Sequence, residues 1–257
     1  MIRRIGHGFF ALVSLIAVAC IDLSTDPDEI VAIEFGDLPW PSIVAGDTLR
    51  DASGAVAPLT ARLFDGDGDP ADGAVEFLVQ EPGLRVVNGN VLVAEATATG
   101  PIGIIASTTG IQSVPTTINV VPKPDSLAVE GTITPLEWVV PDDPALNTSQ
   151  PLTVKLLSNT TATPAPVPSW VVRFQLEAGG RIIPENDTTQ IWLVGDNGRP
   201  ASADTTDGGG LASRRVRLRV APGLTPPDSA VITVTASYNG APLIGSPLVL
   251  VLPLVPR

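Results

Sequence analysis

The chain has 257 residues, 44% hydrophobic and 16% charged, with 24 Gly and 26 Pro; that suits about two packed domains of short strands and tight turns, not long helices. Lys+Arg number 15 against Asp+Glu 27, an acidic balance that repels nucleic acid and anionic lipid headgroups. The only His, Cys and Met are His7, Cys20 and Met1, so the body has no residues for Ser–His or Cys–His nucleophiles or for His- or Cys-ligated metals, and no cofactor is expected.

The first element is a leader over residues 1–19. Arg3 and Arg4 form a basic start, and Phe9 to Ala19 an apolar run of 11 residues. That run is too short to span a bilayer of about 30 Å and right for a signal peptide. Removing it takes two of the basic residues, leaving 13 against 27 and a net of −14. The segment ends Ala17-Val18-Ala19-Cys20, which resembles the lipobox of bacterial lipoproteins. The resemblance implies cleavage before Cys20, acylation of its thiol and a durable hold on the membrane. Ala17 stands where leucine is commonest in that family. Ile21, rather than aspartate, follows the cysteine, which by the enterobacterial sorting rule implies the outer membrane. An ordinary secretory leader, with Cys20 incidental, is the alternative. Residues 20–29 read as the lipidated cysteine and an acidic tether.

Residues 30–122 read as one antiparallel sandwich, with turn signals about every 8–12 residues. Ile30 to Phe35 is a β-rich run, broken by Pro39-Trp40-Pro41. Leu59 to Phe64 alternates as a half-buried strand does. Ala74 to Val79 reads as its hairpin partner, across the turn Asp65-Gly66-Asp67-Gly68-Asp69-Pro70. Strands are also expected around Val86–Val87, Val91–Val93, Ile102–Ala106 and Pro115–Val121. The stretches Val44-Ala45-Gly46-Asp47-Thr48, Ala61 to Asp65 with its Gly-rich turn, and Gly100 to Ala106 resemble the group 2 bacterial immunoglobulin-like domain. Phe77 stands roughly where that family has tryptophan. Asp65, Asp67 and Asp69 are weak calcium candidates, since alternate carboxylates offer hard oxygen ligands and Glu76 holds the twelfth position of such a loop. Pro70 sits where that loop needs glycine, and a solvated turn is the plainer reading.

Residues 123–257 read as a second sandwich after the linker Lys123 to Ser126. Strands are expected at Leu127–Ile133, Trp138–Val140, Leu152–Leu157, Trp170–Leu176 and Ile191–Val194, with Thr160 to Ser169 an extended loop. The turn Thr206-Asp207 to Gly210-Leu211-Ala212, followed by Ala230 to Ala236, resembles the group 1, invasin/intimin-type, bacterial immunoglobulin-like domain, read with one extra residue in the turn. Leu248–Leu252 reads as the last strand. Arg215, Arg217 and Arg219 share one strand face, opposite Val216, Leu218 and Val220. A solvent face is the preferred reading and an anion-binding ladder the sharper one. Trp138, Trp170 and Trp192 read as core rather than sugar platforms. Sequons at Asn147, Asn159 and Asn186 read as chance matches.

The expected fold class is therefore all-β, with two tandem immunoglobulin-like antiparallel sandwiches after an N-terminal signal peptide. The expected function is a non-catalytic cell-envelope lipoprotein that adheres, binds or spaces. Its partners would be the membrane, through the lipid anchor, and envelope proteins or polysaccharide. A carboxylate-based glycan hydrolase, or an accessory subunit of an envelope complex, is the alternative.

Overall fold

Alternation in the sequence becomes alternation in burial. In Val171–Ala178, Val172, Phe174 and Leu176 are buried while Arg173, Gln175 and Glu177 are exposed. In Leu152–Ser158, every second side chain from Leu152 is buried. A strand's side chains point to opposite faces in turn, so each such run needs one covered face, and two sheets packed together supply it.

The computed structural model describes residues 29–257 apart from Pro222 and Leu224. The expected signal peptide, lipobox and Cys20, and all of the tether but Glu29, lie outside the described residues. The first group of strands is β1 (Ala32–Phe35), β2 (Ser42–Val44), β3 (Ala61–Phe64), β4 (Pro70–Ala71), β5 (Glu76–Val79), β6 (Leu84–Val87), β7 (Val91–Ala94), β8 (Gly100–Thr108), β9 (Ile111–Gln112) and β10 (Thr116–Val121). The second is β11 (Ser126–Glu130), β12 (Leu136–Trp138), β13 (Leu152–Ser158), β14 (Ala165–Pro166), β15 (Val171–Ala178), β16 (Arg181–Ile183), β17 (Ile191–Val194), β18 (Ala203–Thr205), β19 (Leu211–Leu218), β20 (Ser229–Thr235), β21 (Ser237–Tyr238), β22 (Ala241–Pro242) and β23 (Leu248–Pro256). Among the described residues there is no helix, and no strand of one group pairs with a strand of the other. The fold is all-β and immunoglobulin-like, as expected.

Both groups follow one plan. The first strand of each is split by a turn-rich break and serves both sheets. β1 pairs antiparallel with β3, and after the break β2 pairs parallel with β10. In the same way β11 pairs antiparallel with β13, and β12 pairs parallel with β23. The sheets then run β2-β10-β8-β5 in the first sandwich and β12-β23-β20-β15 in the second. Each sandwich thus has a leading end, where the chain comes in, and a trailing end, where its last strand runs out. The tips of β8–β9 and β21–β22 lie at leading ends, and the loops after β2 and β12 at trailing ends. Ile43, Leu49, Leu92, Ile104 and Ile118 anchor the first core, and Leu156, Phe174, Leu218, Ile232 and Leu252 the second. Fully burying a side chain of this kind contributes about 1.5–3 kcal/mol.

The structure corrects the expected hairpin. β5 does not return along β3; it crosses to the other sheet and pairs with β8. Only the two residues of β4 pair back onto β3. Periodicity marks a strand but carries no information about its neighbour. Tight hairpins do form at β6–β7 and β21–β22. Their Asn-Gly tips, Asn88-Gly89 and Asn239-Gly240, all have positive φ, the conformation a two-residue type I′ turn requires.

Three turns share one Asp-x-x-Gly frame, opened by Asp51, Asp65 and Asp207. In each, the aspartate Oδ1 accepts N–H bonds from the second and fourth residues onward, at 2.8 and 3.1 Å, 3.0 and 2.9 Å, and 2.8 and 3.0 Å. The glycine, Gly54, Gly68 or Gly210, donates to the aspartate carbonyl with φ of +86°, +84° or +72°. The Asp207 turn therefore contains no extra residue. The Asp65 carboxylate is likewise engaged by its own backbone, as an Asx turn. Asp67 and Asp69 are exposed. Among the described residues, no group of three or more His, Cys, Asp or Glu is arranged to hold a metal ion.

Candidate functional site at the junction of the sandwiches

Chain order places the trailing end of the first sandwich against the leading end of the second. The contact is built around Gly46-Asp47-Thr48, a motif already prominent in the sequence. Gly46 turns the chain out of β2 with φ +79°. Asp47 then collects donors from both sandwiches. It accepts the Thr48 N–H at 2.7 Å, two guanidinium N–H groups of Arg50 at 3.2 and 3.4 Å, and the phenol of Tyr238 at 2.6 Å. Arg50 also donates to the Gly54 carbonyl at 2.9 Å, which ties the Asp51 turn to the same carboxylate.

Burial alone would raise the Asp47 carboxyl, but the hydrogen bonds from Tyr238, Arg50 and Thr48 and the Arg50 charge outweigh it, and it lies below the usual range. Burial and the Asp47 carboxylate push the Tyr238 phenol up to about 12. Both shifts favour one state, carboxylate accepting from neutral phenol.

Two glycine turns meet beside this bond. A Cβ on Gly54 would lie 2.3 Å from the Asn239 carbonyl carbon, and one on Gly240 would lie 2.6 Å from the Ser53 oxygen. Backbone packs on backbone here, and only glycine allows the approach. An aromatic stack closes the other side. Trp40 and Trp170 meet edge to face at 5.5 Å, and Trp170 lies 6.1 Å from Tyr238. Trp170 is fixed by its own N–H bonds to Thr206 Oγ1 at 2.9 Å and, from the indole, to the Ser237 carbonyl at 3.2 Å. Val44 and Val121 of the first sandwich join the second core, and Trp40 packs against both cores.

A cleft of about 30 Å³ lies between these groups and shares Trp40, Ala52, Ser237 and Gly240 with a groove of about 250 Å³ also lined by Arg173, Thr235 and Pro247. Asp47 and Asp51 line the cleft. A glycosidase needs one carboxyl held protonated, with a raised pKa. Both lie below the usual range: Asp51 through the Ser53 hydroxyl bond first, and Asp47 as described. Neither carboxyl is therefore raised as a general acid would need.

The other sequence-marked residues are elsewhere. Trp192 is buried, and the guanidiniums of Arg217 and Arg219 lie 5.6 and 5.3 Å from its ring centre. Arg217 is only 7% exposed and pairs with Asp142 at 2.5 Å. The three arginines do share a face, as expected, but it is not a solvated ladder: Arg217 is closed off, and Arg215 donates to the Ser149 carbonyl. Asn147 is fully buried, so its sequon is inaccessible in the fold. Sequence reading passed over Trp40 except as a break, and passed over Tyr238 entirely. A usable signal was there: the only tyrosine of the chain directly precedes an Asn-Gly turn.

No protein-family model matches this sequence. No curated protein matches it either. Among solved structures, the Yersinia pseudotuberculosis adhesin InvE is 16% identical with a TM-score of 0.34, over 83% of this chain and 56% of that one. Domains 5–6 of the S-layer protein SbsC are 13% identical with a TM-score of 0.28, over 89% and 99%. A β-glycosidase from Bacteroides vulgatus is 12% identical with a TM-score of 0.31, over 86% and 24%. The chain thus spans about half of the adhesin chain and a quarter of the glycosidase chain.

Proposed function

We propose that this chain is a non-catalytic envelope lipoprotein, held to the outer membrane through acylated Cys20, whose two sandwiches act as one stiff spacer that presents a binding surface to envelope proteins or polysaccharide. The observation that carries the spacer reading is the Asp47–Tyr238 bond set between the facing Gly54 and Gly240 turns. A flexible tandem needs a polar, loosely packed linker; here Lys123 to Asp125 connects strands whose flanking residues are packed into the second core. The anchor reading is supported by the sequence alone, through the position of the sole cysteine.

The spacer is tested by spin labels at Glu76→Cys and Gln175→Cys, both exposed, in the chain from Ile21 onward; both cores lie within the described residues after Glu29. One narrow distance distribution is expected, and a broad one refutes stiffness. The anchor is tested by Cys20→Ser in cells grown with labelled palmitate. Loss of label and release from membranes are expected; membrane retention of the variant would refute anchoring at Cys20.

A further inference from the structure

We propose that the outer face of the β12-β23-β20-β15-β16 sheet is a self-association surface, on which a second copy of this chain packs antiparallel across a two-fold axis at Gln175 and Thr233. The second copy then fills the role of partner in the spacer-and-surface reading above, on which its place in the cell rests.

β23 is apolar at all nine positions, Leu-Val-Leu-Val-Leu-Pro-Leu-Val-Pro. Such a run marks a strand covered on both faces. Leu250, Leu252 and Leu254 are buried in the second core, but Val249, Val251 and Val255 are 56%, 51% and 37% exposed. β10, the last strand of the first sandwich, instead turns Thr117 and Asn119 outward, with Ile118 and Val120 buried between them. Val251 pairs with the half-buried Val231 of β20, and Val249 with Thr233. These side chains form one patch rather than scattered points, and such patches mark contact sites.

The charges on this face point to what covers it. Arg173 and Glu177 both stand out from β15, on either side of Gln175. At about 3.3 Å per residue they are about 13 Å apart along the strand, too far to meet within one chain. A two-fold axis that crosses the strands at Gln175 reverses their order. Arg173 of each copy then faces Glu177 of the other, and the contact is made twice, as an isologous interface requires. The neighbours match as well. Glu177 is flanked by Ile182 and Val231, with Val251 next to Val231. Arg173 is flanked by Ala203 and Thr235, with Pro247 beside Thr235. The same axis therefore sets Val251 on Pro247, Val231 on Thr235 and Ile182 on Ala203. The Gly179-Gly180 tip, where a Cβ meets nothing within 4 Å, falls opposite Val171, which lines the groove beside Trp40. Within these rows Arg173 and Glu177 are the only charged side chains, and they cancel. At the margins Glu185 accepts the Ser202 N–H at 2.9 Å, and Glu137 lies 4.0 Å from Arg257. The chain as a whole, at a net of −12, repels a second copy, so a charge-balanced face is where two copies can meet. Antiparallel copies carry their first sandwiches at opposite ends, so copies anchored at Cys20 would meet across two facing membranes.

The test is sedimentation velocity of the chain from Ile21 onward, between about 10 µM and about 1 mM, the range of weak protein contacts. The expected result is a sedimentation coefficient that rises to that of a dimer and stops there, because a two-fold contact closes. Val251→Asp should weaken association at least about tenfold. Arg173→Glu and Glu177→Arg should each weaken it as much, by setting like charges face to face. Mixed in equal amounts, these two variants should associate again, since each copy supplies the charge that the other lacks. If Val251→Asp fails to fold, the two charge variants carry the same test, because both side chains are exposed. A constant coefficient across the range overturns the proposal. So does growth beyond the dimer, association that survives Val251→Asp, or a mixture no more associated than either charge variant alone. The spin-label pair within one chain, diluted into unlabelled chain, reads the spacer whatever the outcome, and the palmitate label reads the anchor, so those readings and this one fail separately.

Discussion

Replacing Tyr238 with Phe removes one hydroxyl and nothing else from the junction. The bond lost is a 2.6 Å O–H···O⁻ contact to Asp47. Hydrogen bonds to charged groups contribute about 1.5–3 kcal/mol. Asp47 keeps Arg50 and the Thr48 N–H, so the expected loss is about 1–2 kcal/mol, a factor of about 5–30 in the ratio of docked to undocked sandwiches. The spin-label pair at Glu76→Cys and Gln175→Cys reads this directly, as a second, broader distance in the variant. Acid should produce the same change in the parent chain. The Asp47 carboxyl is depressed in the fold, so its contribution is present above about 3.9 and is lost as pH falls through the lower folded value. Tyr238 is raised to about 12, so its contribution persists through about pH 10 and is lost as pH rises through about 12. An unchanged distance distribution in Tyr238→Phe would show that this bond does not hold the junction.

Three glycine substitutions in one turn frame should rank by what the new Cβ meets. Gly68→Ala has open space and should cost only the left-handed strain, about 1–2 kcal/mol. Gly210→Ala meets the Leu156 carbonyl oxygen at 2.6 Å and should lower the urea midpoint further. Gly54→Ala should broaden the inter-sandwich distance more than it lowers either midpoint. Leu156→Ala empties a fully buried site and should cost about 2–5 kcal/mol, seen as an earlier loss of the Trp192 fluorescence signal. Asp142→Asn leaves Arg217 buried without its counter-charge; breaking a buried pair costs about 3–5 kcal/mol, and the quarter exposure of Asp142 puts the expected loss at the lower end or below. The Arg217 bond holds the Asp142 carboxyl below the usual range. Stability should therefore fall as pH drops below about 4 in the parent, and less steeply in Asp142→Asn.

Val171–Ala178 and Leu152–Ser158 were legible because a half-buried strand must alternate, and nothing distant is needed to see it. The Asp65 and Asp207 turns were legible as turns because their hydrogen bonds close within five residues; the Asp51 turn, built on the same frame, was passed over. The partner of β5 was not legible, because sheet membership is set by long-range packing. The junction was least legible of all. Asp47 and Tyr238 are 191 residues apart, and each looks ordinary in its own neighbourhood. The Gly46-Asp47-Thr48 motif stood out, but its purpose is visible only when the second sandwich supplies the phenol. Arg217 misled for a related reason: alternation gives the face of a side chain, not whether Trp192 and Asp142 cover that face.

The split first strands bear on how the molecule carries load. β2 lies parallel to β10, and β12 lies parallel to β23, so in each sandwich the second half of the split first strand and the last strand are direct neighbours that run the same way. Tension drawn along the chain slides these neighbours past each other instead of peeling them apart. The hydrogen bonds between them are then stretched together, not broken one after another. A tether pulled between a membrane and a distant partner would meet that resistance twice in series, once in each sandwich.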